Sequence, residues 1–249
     1  MIQEEILVPS TIDGSLQPSL FYRASVPNRP LLVGLHTWSH DRFNQINNML
    51  PYAQKNDFNL LLPEFRGSNL IDNENCTQAC GSVLAKQDIK DAINFVLQED
   101  IDATNIFLLG LSGGGHMALL MAGFCPELFK AIGAFSPITD LRKWTLENEN
   151  YRRHVLACCG GDASKMLLRS PCYYTDKIAK ANLKLFHGRW DTVVTPSHSI
   201  DLFRLITENH REARVYLDLF DGYHEIDMEM AMHWILSQYL GTGRKEITG

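Results

Sequence analysis

The chain has 249 residues, 45% hydrophobic and 21% charged, with a formal net charge of -6 from 23 Lys and Arg against 29 Asp and Glu. That is enough apolar material for one core, so a single domain over residues 1–249 is expected, and the mildly acidic balance excludes the basic stripe that nucleic-acid backbones require. The stretch from Ile106 through the glycines to Phe124 is too short and too glycine-rich to cross a bilayer, and Met1 to Glu5 shows no basic-then-apolar leader; no membrane partner and a cytoplasmic location are expected.

In chain order, residues 5–8 and 19–24 read as strands separated by a turn-rich stretch, an antiparallel entry to a sheet. From there the pattern alternates. The apolar run 31–35 has the character of a strand buried on both faces, and residues 44–54 follow with apolar positions at helical spacing. Run 60–63 precedes a helix over 85–98, marked by Ile89, Ile93 and Val96, and run 106–111 precedes a helix over 114–124. After the strand 131–135, residues 140–177 break the rhythm with irregular and helical pieces and read as a cap insertion. Strand 183–186 with helix 196–207, and strand 215–220 with helix 225–239, complete the series. Such alternation requires right-handed crossovers, hence an α/β fold with helices on both faces of a mostly parallel, twisted sheet.

Six cysteines are too few to build a disulfide scaffold in a chain of this length. Cys76 and Cys80 have the spacing of a metal or redox pair, but no second Cys/His pair with zinc-ligand spacing accompanies them. They read as ordinary small side chains, and Cys158-Cys159 as partly buried residues of a loop. His36, His40 and His116 read as packing or polar wall residues; no metal or organic cofactor is implied.

The most specific chemical signal is Gly110-Leu111-Ser112-Gly113-Gly114, a G-x-S-x-G elbow between a strand and a helix and the mark of the α/β-hydrolase fold. Small neighbours let strand and helix approach closely enough to hold Ser112 in a strained turn. A serine hydroxyl needs a neutral imidazole to take its proton, and in this fold that base follows the final strand. His224 stands there; His233 lies inside the last helix, where packing is expected of it. The acid that orients the imidazole should follow the preceding strand, and Asp191 does, with Asp140 one strand earlier as the alternative. For the oxyanion, Gly113 should supply one backbone N–H, and Trp38, after the strand 31–35, the other, its indole forming a pocket wall.

Residues 102–144, His187-Gly188-x-x-Asp191 and Gly222-x-His224 together resemble the catalytic domain of the prolyl oligopeptidase family and its esterase relatives. Pro63-Glu64-Phe65-Arg66-Gly67-Ser68 and Ser170-Pro171 are similar to further family segments. Two departures fall beside the oxyanion site: Gly113 stands where the family has tyrosine, and Thr37 where a glycine usually follows the loop histidine. The resemblance implies a serine hydrolase, and no β-propeller such as family peptidases carry is expected before Leu31. Ester hydrolysis through an acyl-enzyme is the preferred expectation, on a small or medium ester. A stand-alone peptidase or aminopeptidase acting on short peptides is the second, and a binding protein on a hydrolase scaffold belongs to another class.

Overall fold

Alternating apolar side chains bury on two sides of one sheet. The computed structural model describes residues 2–241. Its strands are β1 (Ile2–Pro9), β2 (Leu16–Arg23), β3 (Arg29–Leu35), β4 (Asn59–Pro63), β5 (Ile101–Leu111), β6 (Ala131–Phe135), β7 (Leu183–Gly188) and β8 (Val215–Phe220). They form an eight-stranded sheet in the order β1-β2-β4-β3-β5-β6-β7-β8. The pairs β1–β2 and β2–β4 are antiparallel; from β4 through β8 every pair is parallel, as expected of an α/β-hydrolase.

On one face Leu31, Val33, Leu35 and Leu108 pack beneath α2 (Val83–Val96), α3 (Gly113–Phe124) and α8 (Ser197–Asn209). On the other, Leu32, Leu60, Phe107 and Leu109 pack beneath α1 (Ile46–Asn56) and α9 (Met228–Tyr239). Each such side chain contributes about 1.5–3 kcal/mol through burial. The central helix α3 is buried on nearly all sides, which is why its sequence is apolar all round and not amphipathic.

Helix α9 begins at Met228, three residues later than its apolar spacing suggests, because Asp227 Oδ1 accepts the N–H groups of Glu229 (2.9 Å) and Met230 (3.0 Å). The cap leaves His224 in the preceding loop.

Residues 140–177 carry α4 (Leu141–Glu147), α5 (Glu149–Cys158), α6 (Ala163–Leu168), a 3-10 turn (Pro171–Tyr174) and α7 (Thr175–Ile178). A third apolar cluster joins these helices to the loop after β3 through Trp38, Cys76, Cys80, Trp144, Val155, Cys158 and Cys159. Cys158 and Cys159 end α5 fully buried, not in a partly exposed loop, because α5 turns its apolar side down onto Trp38 and Trp144.

Candidate active site

Because β5, β6, β7 and β8 run parallel, their carboxyl ends share one edge of the sheet, and the residues that follow β5, β7 and β8 gather there. Ser112 is the single residue between β5 and α3 and has φ 58, ψ -117, a conformation that costs a non-glycine residue about 1–3 kcal/mol. The turn is fastened from both sides. Ser112 N–H donates to Phe135 O on β6 (2.9 Å), and Ser112 O accepts from His116 N–H (2.8 Å). A Cβ on Gly114 would lie 2.5 Å from Leu35 O, and one on Gly110 would run into the backbone of Gly114, so these glycines permit the crossing.

Asp191 follows β7, and His224 follows β8. His224 Nδ1–H donates to Asp191 Oδ2 at 2.7 Å. The other oxygen, Oδ1, accepts from Val193 N–H (2.8 Å) and Val194 N–H (3.0 Å), which fixes the carboxylate plane. Burial opposes the charge on Asp191, but hydrogen bonds from His187 and His224 outweigh it and hold the carboxyl well below the usual carboxylate range. The Asp191 and His224 loops can touch because Gly188 has no side chain: a Cβ there would strike the carbonyls of Gly222 and Tyr223. Among the described residues Ser112 Oγ makes no hydrogen bond to His224; in free hydrolases this contact is often long and tightens with substrate.

Beside the elbow stands Trp38. A Cβ on Gly113 would lie 2.5 Å from Trp38 N and 2.6 Å from its Cα, so the backbone of Trp38 lies directly against Gly113. Neither donates a hydrogen bond among the described residues. Asn69 N–H donates to Trp38 O (2.8 Å) and Asn44 Oδ1 accepts from Thr37 N–H (3.1 Å), which orients this loop. The contact also explains why glycine, and not the family's tyrosine, stands at position 113: the backbone of Trp38 occupies the space of a side chain. The indole of Trp38 is 2% exposed and packs edge-on against Trp144 (4.9 Å, 67°), so it is a core residue and not the expected pocket wall.

The remaining candidates are spent elsewhere. Asp140 caps α4 through Arg142 N–H (2.8 Å). His233 is exposed on α9, where packing was expected, because the apolar face of that helix passes through Ala231, Met232, Trp234 and Ile235 instead. His36 is buried, stacks on Phe65 (3.9 Å) and donates from Nε2 to Glu64 O (2.7 Å). His116 is also buried and donates from Nε2 to Arg169 O (2.6 Å), with its pKa pushed down to about 4 by burial. His40 is exposed.

Sequence reading missed His187 and Asn69. His187 Nε2 lies 3.4 Å from Asp191 Oδ2 and donates to Val194 O (2.9 Å), while Nδ1 accepts from Ser199 Oγ (2.7 Å). The His187-Gly188 dipeptide, with His187 four residues before Asp191, was the signal available for the first; nothing local marks Asn69.

The model of the prolyl oligopeptidase family matches residues 44–235. The chain belongs to the prolyl oligopeptidase family of serine hydrolases. It is 28% identical to the human acylamino-acid-releasing enzyme over 205 residues, which span 76% of this chain and 28% of that protein. Among solved structures, an acylaminoacyl peptidase of Pyrococcus horikoshii superposes with a TM-score of 0.75 at 16% identity, covering 95% of this chain and 41% of that one. An esterase of Pyrococcus furiosus superposes with a TM-score of 0.71 at 18% identity, covering 97% of this chain and 92% of that one. At such identities the structural likeness speaks to the fold. Among the described residues no helix is long and apolar enough to cross a membrane.

Proposed function

We propose that this family member hydrolyses small or medium carboxylic esters through an acyl-enzyme, with Ser112 as nucleophile, His224 as general base and Asp191 as the group that orients it. Ser112 Oγ attacks the carbonyl carbon as its proton passes to His224 Nε2. The oxyanion accepts hydrogen bonds from the N–H groups of Gly113 and Trp38, and the tetrahedral species collapses as the leaving alkoxide takes the proton from His224. Water then repeats the sequence on the acyl-enzyme, giving the acid and free Ser112. Asp191, kept ionised, holds the His224 tautomer and stabilises the imidazolium.

The observation that carries this reading is the 2.7 Å bond from His224 Nδ1 to a buried carboxylate, at the sheet edge where the strained Ser112 also stands. The exposed rings of Trp190 and Tyr223, each preceding an Asp191 or His224 position, offer apolar surface to an acyl or alcohol group. A small-molecule substrate follows, within one domain capped by residues 140–177, without nucleic acid or membrane as partner.

A second reading, release of acylated amino acids from short peptides, is favoured by the names of the relatives that share 28% of their length with this chain. A panel of p-nitrophenyl esters and acylaminoacyl p-nitroanilides decides between them. Ester turnover that disappears in Ser112→Ala supports the first; faster release of amine than of alcohol overturns it in favour of the second. Equal inactivity of wild type and Ser112→Ala on both panels, without fluorophosphonate labelling, would leave a binding protein.

A further inference from the structure

Four thiols unused by the proposed chemistry meet beneath the cap. Cys76 and Cys80 come from the loop before α2, Cys158 and Cys159 from the end of α5, and all are buried and free. All four belong to one apolar cluster, and Cys80 and Cys158 meet on the same residue: Asn69 Oδ1 accepts from Cys80 N–H (2.6 Å) and Asn69 O accepts from Cys158 Sγ–H (3.3 Å). Arg169 binds the two segments together, donating from its guanidinium to the carbonyls of Thr77 (2.8 Å), Ala79 (3.2 Å) and Cys158 (3.2 Å).

The cluster reaches the proposed oxyanion site through one residue. Cys158 Sγ–H donates to Asn69 O (3.3 Å), Asn69 Oδ1 accepts from Cys80 N–H (2.6 Å), and Asn69 N–H donates to Trp38 O (2.8 Å). Trp38 itself packs in the same apolar cluster as the four thiols. Whatever shifts Asn69 therefore pulls on the Trp38 carbonyl, one Cα away from the Trp38 N–H that the proposed mechanism uses as its second oxyanion donor.

We propose that Cys80 and Cys158 form a reversible disulfide under peroxide and that this bond lowers hydrolytic activity by displacing Asn69 and Trp38; the second half rests on the reading of Ser112 and Trp38 given above. The Cys158 thiolate attacks a peroxide oxygen, the O–O bond breaks, and the products are a sulfenic acid and hydroxide, which takes up the proton released by the Cys158 thiol and leaves as water. The Cys80 sulfur then attacks the sulfenic sulfur and expels hydroxide, which takes the Cys80 proton. In balance, two thiols and one hydrogen peroxide give one disulfide and two waters. The neighbouring Cys80 thiol and the charge of Arg169 hold the Cys158 thiol below its ordinary value against the opposing effect of burial, which favours the attacking thiolate. Forming the bond draws the sulfurs to about 2 Å and removes the S–H that Asn69 O accepts. Cys125, buried in a different cluster that contains no second buried cysteine among the described residues, and pushed up to about 12 by burial, should stay reduced.

The test uses the purified chain, reduced and then treated with hydrogen peroxide. Peptide mass spectrometry after alkylation reads the cross-link, and the rate of fluorophosphonate labelling at Ser112 reads the site. Expected are a Cys80–Cys158 cross-linked peptide and labelling slowed by about tenfold or more, a loss comparable to misplacing one oxyanion donor. Dithiothreitol should restore the rate, and Cys80→Ala, unchanged before peroxide, should resist it. If peroxide leaves both thiols free to alkylate, or joins other cysteines only, the disulfide is overturned. A cross-link with undiminished labelling overturns the coupling to the site. Absence of labelling in the reduced protein overturns the Ser112 reading and the coupling with it, while the cross-linked peptide decides the disulfide independently.

Discussion

Replacing Gly113 by alanine tests the oxyanion assignment at its narrowest point. The added Cβ would stand 2.5 Å from Trp38 N, 2.6 Å from its Cα and 3.0 Å from its Cβ, against the 3.4 Å at which ordinary contact begins. Relief requires Trp38 N to withdraw by about 0.9 Å, the difference between 3.4 and 2.5 Å. It has little freedom to do so without turning, since its indole is wedged against Trp144 and its carbonyl is held by Asn69. Loss of one oxyanion donor costs a factor of about 10²–10³ in kcat, and a misplacement near 1 Å about 10². Gly113→Ala should therefore lower kcat on a p-nitrophenyl ester by about 100-fold with little change in KM, while overpacking lowers stability by about 1–3 kcal/mol. Gly123→Ala on the same helix is the control: its Cβ would meet Ile178 at 3.4 Å, so kcat should stay at the wild-type value. A folded Gly113→Ala protein with undiminished kcat would refute the role given to Trp38.

Three further outcomes follow from the same geometry. Asp191→Asn keeps the shape of the side chain but lets the wrong His224 tautomer form; kcat should fall by about 10⁴, read by single-turnover kinetics, with the fold intact by circular dichroism. Asp88 is 1% exposed and pairs with Arg66, itself 3% exposed, at 2.5 Å, so Asp88→Ala leaves a buried guanidinium short of its partner and should cost about 3–5 kcal/mol in urea unfolding. His116 and His198 are buried with pKa values pushed down, chiefly by burial, to about 4 and about 3. The unfolded chain then binds more protons than the folded one once pH drops below the ordinary histidine value, so stability declines from there toward the lowered folded values, by about 1.4 kcal/mol per pH unit for each ring. Unfolding free energies at pH 7 and pH 5 should differ by ~4 kcal/mol in that direction, and a flat profile would contradict the burial of neutral rings.

Much of the architecture was legible residue by residue. Runs such as 31–35 and 106–111 alternate between the two faces of the sheet because a strand has a period of two, and the elbow at Ser112 announces itself because only small residues fit where β5 turns into α3. The order Ser112, Asp191, His224 named which loops should meet, and parallel strands with a common carboxyl edge bring the last two into contact. These are local constraints, carried by neighbours in the chain. What only the tertiary structure decided depends on packing between segments far apart in sequence: the burial of the Trp38 indole against Trp144, the convergence of Cys80 with Cys158, the placing of His187 behind Asp191, and the turn of α9 that leaves His233 outside. The first three are set by how loops and helices from distant segments settle onto a finished sheet, and a side chain's partners across such contacts are a property of three-dimensional fit; the outward side of His233 follows from which stripe of α9 the sheet covers.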